Sequence, residues 1–155
     1  VIKAVKEIST FKNLIKLQII TNKIEKIKFI LQNDITKNIS INYIEWSINL
    51  HKNIENSDII IIPLFENNKS KVKSSNRIID SLNMGRFVII NDNEQFREFK
   101  DYCFFGNIGD GLEWLRNNTD KAIEMISSGQ KYVLKNYSLE IVANKWNSAL
   151  RDINI

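Results

Sequence analysis

Four consecutive isoleucines, Ile59 to Ile62, run into Pro63-Leu64. Such a run has no polar residue at every second position. It does not suit a sheet with one wet face, and it asks for burial on both faces, as at the centre of a parallel sheet. Asp58 to Leu64 therefore reads as a strand. A polar loop follows, and then Lys73-Ser74-Ser75-Asn76-Arg77-Ile78-Ile79-Asp80-Ser81-Leu82-Asn83-Met84-Gly85. The spacing predicts a helix from Ser75, closed by Gly85 as the left-handed residue beyond its end. Phe87 to Asn91 is the next strand. Strand, loop, helix, strand is the repeating unit of an α/β sheet, whose ligands sit at the C-terminal ends of the strands.

The rest of the chain carries the same alternation. Ile2, Val5, Ile8 and Phe11 recur at helical spacing, and Leu14 to Thr21 is a strand. Ile24, Ile27, Ile30 and Leu31 mark a second helix ending near Asn33. Ile41 to Trp46 is a short strand, and Ile48 to Asn56 a short helix with Leu50 and Ile54 inward. After Phe87 to Asn91 come a short helix from Glu94 to Asp101 and a last strand from Cys103 to Asn107. Beyond Asp110 everything is helical. Leu112, Trp114 and Leu115 lie on one helix. Ala122, Ile123, Ile126, Tyr132 and Val133 lie on a longer one with a potential break at Gly129. Ser138 caps a final helix carrying Ile141, Val142, Trp146 and Leu150. The pattern predicts one Rossmann-like domain over 1–155: a doubly wound parallel sheet, helices on both faces and helices at its C-terminal end.

The chain has 155 residues, 43% of them hydrophobic and 26% charged, which suits one folded domain with a real core. The net charge of +4 is uneven, with 12 lysines and arginines against 7 acids up to Ser75 and 10 against 11 after it. That favours an anionic ligand near the loop. No dense basic run with interleaved aromatics is present, so nucleic acid is not the expected partner. Cys103 is the only cysteine and His51 the only histidine, which excludes a disulfide framework and a Cys-based metal site. Cys103, in Tyr102-Cys103-Phe104-Phe105, reads as a buried thiol. No G-x-S-x-G elbow accompanies His51. Asp92, Asp101 and Asp110 are not clustered with His or Cys, so no metal is expected. No apolar run is long enough to span a bilayer. The first residue is Val1 rather than Met, already within a helical pattern, and this suggests a part of a longer protein.

The loop before the helix carries the chemistry. Ile78, Ile79 and Leu82 form the buried face of that helix, and Arg77, Asp80, Ser81 and Met84, three and four apart, share another face. Lys73 stands just before that face. Two cations at the positive end of a helix dipole are unfavourable by about 0.3–1 kcal/mol each, and a bound diphosphate reverses that sign. Lys73 and Arg77 would neutralise the anion. Ser74, Ser75 and Asn76 would add amides and hydroxyls, and Asp80 could accept hydrogen bonds from ribose. The plain alternative is a solvated basic loop in which Arg77 pairs with Asp80. No phosphate-loop or G-x-G-x-x-G fingerprint decides between the two.

Asp58-Ile-Ile-Ile-Ile-Pro, the loop, Arg77-Ile-Ile-Asp-Ser-Leu-Asn-Met-Gly-Arg-Phe-Val-Ile and then Tyr137-Ser-Leu-Glu-Ile-Val-Ala-Asn-Lys-Trp form an ordered set. The set resembles the C-terminal, nucleotide-sugar-binding domain of group 1 glycosyltransferases of the glycosyltransferase B fold. Lys3 to Ile8 and Leu17 to Thr21 resemble that domain's first helix and following strand, so the resemblance covers nearly the whole chain. It implies donor binding at the loop and polysaccharide or glycoconjugate synthesis as the setting. Asp80 stands where the family's second Glu binds ribose. Val72 stands where its first Glu contacts the sugar, and a Lys-Ser-x-Asn-Arg loop replaces the family's glycine-rich segment. Tyr43 to Ser47 lies where the family holds the nucleobase. Trp46 is a candidate to stack on it, with a core or interdomain tryptophan as the other reading.

The resemblance also implies what the chain leaves out. The strand ahead of the first helix, and an N-terminal domain that binds a glycan or lipid-linked acceptor, would precede Val1. The chain alone would then bind a nucleotide without turning over substrate. Lys73 and Arg77 would stabilise the leaving diphosphate rather than act as acid or base. The donor would be a substrate, with no tightly bound cofactor, in the cytoplasm or peripheral to the inner face of the membrane. Three other readings stand beside this one: a non-catalytic α/β interaction module, a degenerate transferase that scaffolds a partner, and a sugar-nucleotide epimerase.

Overall fold

A computed structural model describes residues 2–9, 14–32, 37–64 and 74–152. Its order is α1 (Ile2–Ser9), β1 (Ile15–Ile20), α2 (Ile24–Leu31), β2 (Ile39–Ile44), α3 (Leu50–Glu55), β3 (Ile59–Ile62), α4 (Asn76–Asn83) and β4 (Phe87–Ile90). A 3₁₀ helix (Glu94–Phe99), β5 (Phe104–Phe105), α5 (Ile108–Asn117), α6 (Thr119–Tyr137) and α7 (Leu139–Asp152) complete it. The chain is α/β with parallel strands, as the alternation predicts. Among the described residues these strands form two small sheets. β1 pairs with β2, Ile15 opposite Ile39, and the other sheet runs β3-β4-β5 with Ile59 opposite Phe87. Lys73, Val72 and Phe11 lie outside the described residues.

Strand alternation divides the packing. Ile62, Val88 and Ile90 join Ile78 and Leu82 of α4, Phe96 and Phe99 of the 3₁₀ helix and Val133 of α6 in one buried cluster. Phe87 and Ile89 join Ala4 and Ile8 of α1 and Ile108 and Leu112 of α5 in a second, with Ile59 and Ile61 against it. Ile15 and Leu17 of β1 also border that second cluster, so it runs from one sheet to the other. A third and smaller cluster, Val5, Ile19 and Leu31, sits between α1, β1 and α2. Glu7 fixes α1 to the far half of the chain. Its carboxylate accepts the backbone N–H of Ile108 at 2.8 Å, satisfying a donor at the start of α5.

Two expectations change. Among the described residues the isoleucine strand is not central: β3 lies at the edge of its sheet, and Ile59, Ile60 and Ile61 are only half-buried. The reason is that β3 has β4 on one side and, among the described residues, no strand on the other. Ser81 does not share the exposure of Arg77, with which its spacing groups it. It is fully buried, because α6 covers that side of the helix, and its hydroxyl is satisfied locally by donating to the Arg77 carbonyl at 2.6 Å. The short helix expected after β4 is present over Glu94–Phe99, wound as a 3₁₀ helix and kinked at Phe96.

Other details follow the sequence closely. Gly85 has φ +66°, its N–H bonds the Leu82 carbonyl, and the Arg86 N–H bonds the Ser81 carbonyl. That pair of bonds is the Schellman closure, and a left-handed residue is what allows it. Ser138 caps α7, its hydroxyl accepting the Ile141 N–H at 3.4 Å. α6 continues unbroken through Gly129, whose missing Cβ leaves room for Leu82 and Tyr102. Trp146 and Leu150 of α7 are exposed, at 66% and 51%.

Candidate functional site

The C-terminal end of β3 opens into a cleft of about 150 Å³, lined by Ile62, Pro63, Leu64, Ser74, Arg77, Ile78 and Phe96. The wall is two-sided. Ser74 and Arg77, at the start of α4, bring a hydroxyl and a guanidinium. Ile62, Ile78 and Phe96, all drawn from the buried cluster under α4, bring an apolar floor. Ser75 is the N-cap of α4, yet its side chain makes no capping bond. Its carbonyl takes the N–H groups of Ile78 and Ile79 at 2.9 and 3.0 Å. The first-turn donors of Asn76 and Arg77 lie ahead of that bonding pattern.

Asn91, the first residue after β4, ties the strand ends together. Its side-chain oxygen accepts the Leu64 N–H at 3.0 Å, and its amide nitrogen donates to the Gly106 carbonyl at 3.4 Å. The chain that enters the loop and the chain that leaves β5 are thus held to one side chain. Asn93 caps the 3₁₀ helix by accepting the Gln95 N–H at 2.9 Å, which turns Phe96 back over the cleft.

Ser74 and Arg77 are brought together in the cleft lining. Asn76 is exposed beside them and Ser75 half-buried. Asp80 is half-buried one turn further along α4 and is not part of the lining. Among the described residues Arg77 and Asp80 form no ion pair with each other. Trp46 is 51% exposed, two residues beyond β2 in the other sheet, and it lines no part of the cleft. Sequence reasoning passed over Pro63, Leu64 and Phe96 as lining residues. The signal for Phe96 was its place just after the β4 terminus, where the strand-end rule puts ligand.

Two further groups lie away from the cleft. Cys103 is buried in the cluster under α4, and burial pushes its thiol up to about 12, so it stays protonated and inert. Glu98 accepts hydrogen bonds from the hydroxyls of Tyr132 at 3.2 Å and Tyr137 at 2.6 Å. Burial first, and Glu98 second, raise both phenols above their ordinary range. Tyr102 stacks on Tyr132, and Lys145 lies 5.7 Å from the Tyr137 ring. These contacts fasten α6 and the start of α7 to the 3₁₀ helix. Among the described residues, no helix is long and apolar enough to cross a membrane, and no group of three His, Cys, Asp or Glu side chains could hold a metal ion.

Compared with known proteins, the chain matches no family model and no curated relative.

Proposed function

We propose that this chain is the donor-binding part of a glycosyltransferase, built on a doubly wound sheet, and that the cleft at the end of β3 takes the diphosphate of a nucleotide sugar. One observation carries the reading. Arg77 lines a cleft at the C-terminal end of a parallel strand together with Ser74 and Phe96, and has no ion-pair partner among the described residues. A lone guanidinium opposite an apolar wall suits a diphosphate carrying an organic group. Lys73 would join it from the loop, and the amides of Ser75 and Asn76 would point at the phosphate oxygens. Asp80 would reach the ribose from one turn away.

In transfer, negative charge grows on the leaving diphosphate. Lys73 and Arg77 would stabilise it as fixed positive charges, with no proton transfer assigned to them. The acceptor would be a glycan or lipid-linked group presented by a further domain. Calorimetry with UDP, GDP, CDP and ADP tests the donor site. One of these should bind, and Arg77→Ala should weaken that diphosphate by about tenfold while leaving the nucleoside unchanged, as the loss of one charge-assisted contact predicts. No binding at millimolar concentration, by this chain and by the full-length protein, sinks the reading. Equal loss for nucleoside and diphosphate makes Arg77 structural.

A second reading, a non-catalytic interaction module, draws on α7. Leu139, Trp146 and Leu150 are 89%, 66% and 51% exposed along one helix. A Trp146→Ala change that leaves nucleotide binding intact but abolishes association with a protein partner would favour it.

A further inference from the structure

α7 is held to the rest of the protein near its start. Ser138 caps it, Ile141 and Val142 are half-buried, and the Lys145 Nζ donates to the Asn136 carbonyl at 3.2 Å. From Ala143 to Arg151 every residue is exposed. A helical segment this short is marginal in water without tertiary packing. Its sequence is not that of a solvated helix. Leu139, Ala143, Trp146 and Leu150 recur at intervals of four, three and four and make one exposed apolar stripe. Glu140 and Arg151 flank that stripe on the same side, one near each end, because the eleven residues between them come to about three turns. Among the described residues neither has an ion-pair partner.

We propose that a second copy of this chain docks on that face, its α7 antiparallel to the first across a two-fold axis beside Trp146. Charge sets the orientation. In an antiparallel two-fold pair like flanks face each other, so Glu140 of each copy meets Arg151 of the other. A parallel pair would set Glu140 on Glu140 and Arg151 on Arg151, and both contacts repel. The same charges set the register. The midpoint between positions 140 and 151 falls between Lys145 and Trp146, so the two tryptophans come together at the axis. Ala149 then faces Val142, a small residue against a larger one. A central tryptophan inside a charged rim is the arrangement that concentrates binding energy in an interface. The 14 residues of α7 span about 21 Å, which makes a small contact, so the dimer is transient, with a Kd of about 10–100 μM. A second copy is thereby the partner that the interaction reading of α7 leaves open. The pairing rests on that reading and not on the donor site.

Sedimentation velocity on the natural full-length polypeptide, between about 1 and 500 μM, tests it. The expected result is a reversible monomer–dimer equilibrium whose Kd rises at least about 100-fold with Trp146→Glu. Glu140→Arg and Arg151→Glu should each weaken the dimer about tenfold, because either one makes both cross-pairs repulsive. The double variant E140R/R151E should restore it. So should an equimolar mixture of the two single variants, in which every cross-pair is again opposite in sign. Both reversals oppose the helix dipole, so simple fraying of α7 predicts added losses and no rescue. All three positions are exposed, so the variants should fold, which circular dichroism checks. A protein that stays monomeric over this range overturns the proposal. So does a dimer that survives Trp146→Glu, or a double variant and a mixture no better than the single variants. The interaction reading fails separately, when Trp146→Ala also leaves association with other proteins unchanged.

Discussion

β4 and β1 show two ways of being a strand in one molecule. All four residues of β4 are buried, and the cluster above them draws on α4, the 3₁₀ helix and α6. β1 buries Ile19 alone, and its own cluster has three buried members. Phe29 on α2 and Ile48 before α3 are exposed at 72% and 84%. Both regions are rich in isoleucine, so composition does not separate them. What differs is the number of neighbours. β4 has strands on both sides and contributes to two buried clusters, whereas among the described residues β1 and β3 each pair with a strand on one side only. Burial is a property of the place, and an apolar sequence only qualifies a residue for it.

The largest test compares two leucines that are equally buried in unequal surroundings. Leu82 and Leu31 are both 0% exposed. Leu82→Ala should lose about 4–5 kcal/mol, because α4, α6 and β4 cannot close around the void, and Leu31→Ala only about 2–3, because its thin cluster can relax. Equal losses in urea denaturation would break the comparison. Glycines give a smaller contrast. A Cβ at Gly129 would stand 2.9 Å from the Leu82 Cδ2 and 3.2 Å from the Tyr102 Cβ, whereas one at Gly109 meets only the Glu7 carbonyl at 3.7 Å. Gly129→Ala should destabilise by about 1–3 kcal/mol, and Gly109→Ala should be neutral or gain a few tenths of a kcal/mol.

Glu7 is the strap between the two regions. Glu7→Ala should cost about 1 kcal/mol, in the range of a lost helix cap, with α1 and α5 losing hydrogen-exchange protection together. The smallest effect is a pH dependence confined to the dense region. Tyr137 has its phenol raised in the folded state. The unfolded chain therefore loses that proton first, near pH 10, and stability should decline as pH climbs from there toward the raised value. Tyr137→Phe should flatten this alkaline slope, as read by thermal melts between pH 9 and 11.

Much of this was legible because local chemistry decides it. Gly85 announces a left-handed closure, Ser138 a cap, and the run to Leu64 a strand. Where the sequence misled, the cause lay outside the local segment. Helical spacing groups Ser81 with Arg77, Asp80 and Met84 rather than with the buried face, but Ser81 is fully buried on a helix that packs against α6, far along the chain. Ile59 to Ile61 have the composition of a central strand, yet the described residues give them one neighbour. Glu7 and Ile108 meet across the whole fold, and no spacing rule links them. The start of the cleft could be read from the strand-end rule. The same rule reaches Phe96, in the 3₁₀ helix that follows the β4 end and the Asn93 cap.

Asn91 separates two kinds of inheritance. By holding the Leu64 N–H and the Gly106 carbonyl, it anchors the root of the segment 65–73 to the sheet without using any residue of that segment. Changes of length or charge within 65–73 therefore leave the strand ends where they are. A lineage carrying this asparagine can try out new loop sequences, and so new ligand preferences, while the framework that presents them is left untouched.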